Sequence, residues 1–155
     1  MYLNCKTYFS LRYGTYSTEE LVKAAVELGI EALALTNINN TSDAWDFYTH
    51  CTTQGIKPIL GAEIRNGDSL LYILLAANLA GYEWINEFLS HHLQADEPFP
   101  EYATGKGFFK KPGDGFVIYP LGGKAPADLV QNEYIGILSG QITKLFSFPV
   151  TAFRH

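Results

Sequence analysis

Apolar runs alternate with amphipathic helical stretches along the first part of the chain. Ser17, with Glu20 three residues later, predicts a capping box in which each side chain binds a free backbone amide at a helix start. The apolar positions behind it repeat at helical spacing: Leu21, Ala25 and Leu28. Gly29 predicts the helix end, because glycine adopts the left-handed conformation cheaply. The apolar run 32–35 then predicts a strand.

A second segment repeats this order. Thr41, Ser42 or Asp43 is suited to cap a helix, and Gly55 to end it. The buried face of this second helix is predicted from four positions: Ala44, Phe47, Tyr48 and Cys51. Another strand is predicted to begin at Ile59. With Tyr2 and Leu3 as the first strand, the opening is β-α-β-α-β, which is typical of a mainly parallel sheet in an α/β fold.

The middle of the chain predicts a hairpin and a third helix. Asn66-Gly67 is a tight-turn dipeptide, and Leu70–Ala76 predicts a buried strand after it. The third helix is expected to end near His91-His92. Its apolar stripe is predicted to hold Leu79, Tyr82, Ile85 (or Asn86) and Leu89.

Residues 94–115 lose this regularity and are expected to form a long surface loop. Periodicity then returns in short elements: a strand 116–119, a short helix around 127–130, a strand 134–138, a helical turn near 142–146 and a strand 150–153. We interpret residues 1–155 as one domain, in which the loop is the one place for a concealed boundary.

Composition argues against some classes of function. The chain is 47% hydrophobic, enough for a core, and its net charge of −5 argues against a dedicated nucleic-acid-binding protein. The apolar run 70–77 is too short to cross a bilayer, and the sequence opens without a signal-peptide pattern, so we expect a cytoplasmic protein without membrane contact. Cys5 and Cys51 are expected to be reduced thiols.

Polar residues follow the first three predicted strands. In a parallel α/β sheet the loops after the carboxyl ends of the strands converge on one rim, where ligands bind. The residues expected there are Asn4, Lys6, Thr36, Asn37, Asn39 and Glu63. This set contains one carboxylate, one ammonium group and several amides, and it contains no histidine.

Four ordered blocks carry a family resemblance: NCKTYFSLRYG, ELVKAAVELGIEALALTNINN, QGIKPILGAE and LLYILLAANLAGYEWINEFLS. They resemble the opening of the PHP (polymerase and histidinol phosphatase) domain of the bacterial DNA polymerase III alpha subunit. The match is close over residues 2–90 and weak over 116–155. The chain is nearest to shorter alpha-type polymerases of the error-prone or alternative kind, and it resembles an N-terminal fragment of a longer polymerase.

The resemblance implies an α/β fold of the PHP-like (βα) barrel type, incomplete relative to the family's seven-stranded barrel. The family's barrel rim binds divalent metals through histidines, aspartates and a glutamate, and in some members it cleaves phosphoesters. Carried over position by position, the family's metal ligands fall on Asn4, Lys6, Asn37, Ile38, Glu63 and Leu71. Glu63 alone keeps the ligand type.

These replacements predict a degenerate metal site. Isoleucine and leucine have no lone pair to offer, and a lysine ammonium has three donors and no acceptor. We therefore expect no metal or other cofactor in this domain and no catalytic residue. Lys6 is expected to neutralise Glu63 where a metal stood, with Asn4 and Asn37 completing a hydrogen-bond network.

Three functions stay open from the sequence. The first is a non-catalytic PHP-like domain that stabilises a polymerase and provides interaction surface. Its partners would be the polymerase's remaining domains, and it would contact DNA only through the parent enzyme. The isolated fragment would self-associate. The second is a residual phosphoesterase or exonuclease on DNA ends, which would need Zn, Mn or Mg at Glu63. The third is a free-standing binding domain.

Two further signals have ordinary explanations. Adjacent helical residues point about 100° apart, so His91 and His92 are expected to lie at a helix end rather than to chelate one ion. The stretch 106–111 mixes lysines with two phenylalanines, as single-stranded nucleic-acid sites do, but with so few charges it is expected to be a solvated loop or a contact to a neighbouring domain.

Overall fold

A computed structural model describes residues 1–103, 108, 109, 111, 113–138 and 140–142. Its elements, in chain order, are β1 (Tyr2–Cys5), α1 (Thr18–Glu27), β2 (Ala32–Leu35), α2 (Ala44–Thr53), β3 (Lys57–Asn66), β4 (Ser69–Ala76), α3 (Leu79–Ala95), β5 (Gly115–Pro120), a 3₁₀ turn (Pro126–Asp128) and β6 (Glu133–Gly136). No helix within these ranges is long and apolar enough to span a membrane.

The strands of the described residues form one curled sheet in the order of the sequence, β1-β2-β3-β4-β5-β6. β1 to β3 are mutually parallel and β5 pairs parallel with β6, whereas β4 is antiparallel to both of its neighbours. The predicted hairpin causes this inversion, because Asn66 pairs with Ser69 across a two-residue turn. Gly67 has φ 56° there, a conformation that costs glycine little. The sheet is therefore mixed rather than mainly parallel throughout.

Side chains alternate between the two faces of the sheet. On β2, Leu33 and Leu35 pack against α1 and α2 with Phe47 and Cys51, while Ala34 faces the opposite side. On β4, Tyr72 and Leu74 join a second cluster with Trp84, Ile85 and Leu89 of α3. The central strands are thus buried on both faces, as in a barrel-type fold with helices outside.

The concave face of the sheet is an apolar groove of about 540 Å³. It is lined by both edge strands, through Leu3 of β1 and Tyr134 and Ile135 of β6, and by Ile59, Leu75, Phe116 and Ile118. In the part of the chain that the structure describes, the outer edges of β1 and β6 have no neighbouring strand. This arrangement is an incomplete barrel and confirms the predicted fold class.

The helix starts were predicted better than the buried faces. The Ser17–Glu20 capping box is present, but Leu28 is 70% exposed and Val22 takes its place in the core, because Leu28 caps the helix where the chain turns away. In α2 the predicted core residue Tyr48 is exposed. In α3 Leu79 is 80% exposed, and the helix continues past His91-His92 to Ala95, where Asp96 adopts the left-handed cap.

The later predictions hold in outline. The short helix near 127–130 is the 3₁₀ turn, and the last described strand begins one residue earlier than predicted and ends at Gly136. Between α3 and β5 the described residues contain no helix or strand, as expected for a long loop. The predicted turn beyond Ile142, the strand 150–153, and most of the lysine–phenylalanine stretch 106–111 lie outside the described residues.

Candidate functional site

Glu63 lies at the centre of the rim and is 1% exposed. The Nζ of Lys6 is 2.7 Å from its Oε2, and the Nε of Arg65 is 2.6 Å from its Oε1. The amide of Asn4 also donates to Oε2, at 3.0 Å. Each carboxylate oxygen of Glu63 therefore has its own protein cation.

The backbone around Glu63 is fixed by the loop after β2. The N–H of Glu63 donates to the carbonyl of Asn37 (3.0 Å), and the N–H of Asn39 donates to the carbonyl of Glu63 (2.9 Å). The side chain of Asn39 pairs with the backbone of Arg65 in both directions, at 2.9 Å each. Glu63 and Arg65 are two residues apart on one strand, so their side chains share the face that meets Lys6.

Hydrogen bonds extend from this centre in two directions. The Oδ1 of Asn4 accepts from Lys6 Nζ (2.8 Å) and from the hydroxyl of Thr36 (2.7 Å). The Nη1 of Arg65 donates to the hydroxyl of Tyr13 at 2.9 Å, and its guanidinium carbon lies 4.3 Å from the centroid of that ring. The neutral amide of Asn4 thus orients Lys6, and the neutral phenol of Tyr13 orients Arg65.

Asn37 belongs to a separate buried network, which corrects its expected place beside Asn4. Its Oδ1 accepts from Thr7 N (3.0 Å) and Ser10 Oγ (2.7 Å), and its Nδ2 donates to Asp43 Oδ1 (2.7 Å). The hydroxyls of Thr7 and Thr18 donate to Asp43 Oδ2, at 2.6 and 2.8 Å. Only the backbone of Asn37 reaches Glu63 directly.

The remaining predicted positions contribute no polar side chain. Ile38 forms an isolated parallel bridge with Glu63 through its backbone, and its N–H donates to Ser10 Oγ at 3.0 Å. Leu71 packs against the apolar cluster under α3. The correspondence of these two positions, and of Asn4, Lys6 and Asn37, to metal ligands in the family stays a prediction.

Arg65 and Asp43 also belong to the site, although the sequence patterns do not predict them there. Arg65 was open to detection, because a residue two positions from Glu63 on a strand lies on the same face. The sequence predicts Asp43 only as a candidate helix cap. It is the N-cap of α2, but its carboxylate makes no capping hydrogen bond and binds the hydroxyls of Thr7 and Thr18 instead. Long-range hydroxyl partners leave no periodic signal in the sequence.

Electrostatics keep Glu63 ionised. Burial on its own raises the pKa of this carboxyl, but hydrogen bonds and charge from Lys6, then Arg65 and Asn4, outweigh burial, and the pKa is lowered below its ordinary value. Burial also raises the pKa of Cys51 to about 11, and Cys5 and Cys51 are both free thiols, as predicted.

The donor set at the rim does not fit a divalent metal. Two positive side chains already contact the two oxygens of Glu63, and both would repel a third cation there. Among the described residues, no group of three His, Cys, Asp or Glu side chains is placed to hold an ion. His91 and His92 lie near the end of α3, where His92 packs against Phe88 and Phe99.

Comparisons with known proteins identify relatives of this chain. Residues 3–119 match the PHP domain model. The chain is 30% identical over 123 residues to the DNA polymerase III subunit alpha of Pseudomonas aeruginosa, covering 76% of this chain and 10% of that protein. It is 35% identical over 100 residues to the Escherichia coli K12 subunit, covering 61% and 9%. The chain thus spans about a tenth of these relatives.

A solved structure shares the fold. It is a protein from Bifidobacterium adolescentis described as a metal-dependent phosphoesterase, with a TM-score of 0.52 and 14% identity. The superposition covers 94% of this chain and 73% of that one. With three quarters of its length matched by the family model and a half-barrel sheet of the same fold, the chain belongs to the PHP domain family.

Proposed function

We propose that this chain is a non-catalytic PHP domain of a DNA polymerase III alpha-type polymerase, where it stabilises the enzyme and provides surface for neighbouring domains. One observation carries the proposal: Lys6 and Arg65 take the two oxygens of Glu63, the one retained carboxylate of the rim. The parent protein would be a DNA-directed DNA polymerase acting in the cytoplasm, and the domain itself would need no cofactor.

The size of the electrostatic repulsion at the rim supports a domain without metal-dependent chemistry. Two unit charges about 4 Å apart interact by about 4 kcal/mol at an effective dielectric near 20, and a divalent ion doubles this cost for each cation it faces. Phosphoester hydrolysis by a metal site needs the ion to generate hydroxide and to stabilise the leaving oxygen. Asn4 and Asn37 supply only amide oxygens, and both are already used by protein donors.

An activity assay tests the proposal against its main alternative, a residual phosphoesterase. The purified chain is incubated with Mn²⁺, Zn²⁺ or Mg²⁺ and either bis-p-nitrophenyl phosphate or single-stranded DNA labelled at its 5′ end. We expect hydrolysis at the rate of the buffer blank, with no difference between the wild-type chain and Glu63→Gln. Manganese-dependent hydrolysis that Glu63→Gln abolishes would overturn the proposal.

The context of the gene tests the other alternative, a free-standing binding domain. The coverage of about a tenth of the polymerase subunits leads us to expect the polymerase sequence in the same reading frame. A transcript that encodes only this domain would contradict that part of the proposal.

A further inference from the structure

The concave face of the sheet presents apolar surface beside a free strand edge. Its groove of about 540 Å³ is lined mainly by apolar side chains, and Lys57 is the one charged residue among the described residues that line it. Tyr134 of β6, which lines this groove, is 52% exposed. Apolar surface of this kind is unfavourable in water and usually marks a site that another segment or molecule covers.

β6 offers an edge to which a strand can add. It pairs parallel with β5 on one side. On its other side, no strand is present within the part of the chain that the structure describes. The unpaired N–H and C=O groups of such an edge bind a further strand readily. A strand added there would lie directly beside the groove, because Tyr134 and Ile135 of β6 line one side of it.

The sequence after the last described residue, Ile142, has the alternation of a half-buried strand. The stretch 146–152 is FSFPVTA, and its even-numbered positions are all apolar: Phe146, Phe148, Val150 and Ala152. The positions between them hold serine, proline and threonine. Because side chains alternate between the faces of a strand, this spacing places the apolar set on one face and the other three residues on the opposite face.

The connection to β6 determines the direction of such a strand. β6 ends at Gly136, so residues 137–145 would form the connection. This connection is shorter than the roughly dozen or more residues that a parallel crossover needs, which leaves an antiparallel arrangement. Pro149 has no N–H to donate, and proline is tolerated in an edge strand because one side of that strand makes no ladder hydrogen bonds.

Charge favours this segment over a second copy of the chain as the occupant of the groove. Residues 143–155 contain Lys144 and Arg154 and no acid, whereas the whole chain has a net charge of −5. The segment is therefore attracted to the rest of the chain, while two whole copies repel each other. Salt screens both effects, so burial of the apolar side chains must supply most of the stabilisation.

We propose that residues 146–152 form a strand that pairs antiparallel with the free edge of β6, and that Phe146, Phe148 and Val150 cover the apolar groove. This contact removes the apolar face of the sheet from water and protects the edge of β6 from pairing with other chains. The inference is independent of the proposed function, because Glu63 is not among the residues that line the groove.

Hydrogen exchange followed by mass spectrometry tests this contact in the purified 155-residue chain. We expect slow exchange of the amides in 146–152 and in β6, because they would bond to each other. Phe148→Asp should abolish the protection of both segments and raise the fluorescence of an added apolar dye, anilinonaphthalene sulfonate. Thr151→Asp, on the opposite face of the same stretch, is the matched control and should change neither readout.

Three results would overturn the proposal. The first is exchange of 146–152 in the wild-type chain at the rate of an unstructured peptide. The second is an equal loss of protection in Phe148→Asp and Thr151→Asp. The third is protection that disappears on dilution together with a dimer mass in light scattering, which would assign the groove to a second copy. Unchanged protection of β2 to β4 in each variant shows that the rest of the chain is still folded.

Discussion

At the scale of single residues, Glu63 is the ionic centre of the rim. It is buried, it takes a cation on each oxygen, and its backbone joins the loop after β2 to β3. Removing one partner of a buried ion pair is far more harmful than replacing the whole pair, because the remaining charge loses its compensation.

Glu63→Gln is therefore expected to lower the free energy of unfolding at pH 7 by about 3 kcal/mol. Lys6 and Arg65, each 13% exposed in its side chain, would be left without a counter-charge. Urea unfolding measures the effect, and Glu31→Gln, at an exposed position, serves as the matched control. An equal loss in both variants, or none in either, would contradict a central role for Glu63.

The lowered pKa of Glu63 predicts that its contribution to stability depends on pH. The pKa of Glu63 is lowered in the folded chain, so its stabilising effect is complete above its ordinary pKa of 4.5 and is lost as the pH falls through the lowered value. The stability difference between wild type and Glu63→Gln should then be constant near neutral pH and should shrink in acid below pH 4.5. A difference that grows on acidification would show that the sign is wrong.

The hydrogen bond between Asn37 and Asp43 predicts that a second carboxylate at position 37 would be destabilising. Its Nδ2 donates to the buried carboxylate of Asp43 at 2.7 Å, so Asn37→Asp would place two carboxylates face to face. We expect a loss of up to about 4 kcal/mol at pH 7, which Asp43→Asn in the same chain should largely restore. Urea unfolding of both single variants and the double variant measures this coupling, and purely additive losses would refute it.

At the scale of elements, the packing of α3 depends on one close approach. A Cβ on Gly81 would lie 1.8 Å from the carbonyl oxygen of Asp114, which precedes β5. Alanine is otherwise favoured over glycine in a helix by about 1 kcal/mol. The sign of the stability change on substituting Gly81 with alanine therefore shows whether helix propensity or packing dominates at this position.

Gly81→Ala is expected to destabilise the chain by about 2 kcal/mol, because the backbone of α3 or of Asp114 must move. Ser90→Ala, an exposed position on the same helix, should be neutral or slightly stabilising. The midpoints of urea unfolding compare the two. A stabilised Gly81→Ala would mean that α3 does not approach Asp114 this closely.

Local chemistry made part of the fold predictable. The capping box at Ser17, the glycine stop at Gly29 and the hairpin at Asn66-Gly67 each depend on neighbours within a few residues, and all three are present. The buried faces of the helices were less predictable. Leu28 and Leu79 fit the helical period but lie at helix ends and are largely exposed, because the tertiary arrangement decides which side of a helix is covered.

The rim was predictable to a similar degree. The parallel pairing of the first three strands brought Asn4, Lys6 and Glu63 together as expected, but Asn4 lies within β1 and Glu63 within β3 rather than in the loops after them. The placement of Asn37 depends on Asp43, Thr7 and Ser10, whose hydrogen bonds join three separate loops and helix starts. No pattern of spacing in the sequence specifies such a network.

At the scale of the whole molecule, the curled sheet leaves an apolar groove between its two edge strands, β1 and β6. At the rim, in contrast, protein charges and amides contact one another around Glu63. At this end of the sheet the buried carboxylate of Glu63 on β3 is neutralised by Lys6, just after β1, and by Arg65, as the proposed stabilising role requires.

The metal content of the purified chain tests this account most directly. Protein prepared without chelator is analysed by plasma mass spectrometry for Zn, Mn, Mg and Fe, with Glu63→Gln prepared in parallel. We predict well below one ion per chain in both proteins, because Lys6 and Arg65 already bind the two oxygens of Glu63. One or more ions per wild-type chain, absent from Glu63→Gln, would contradict the account.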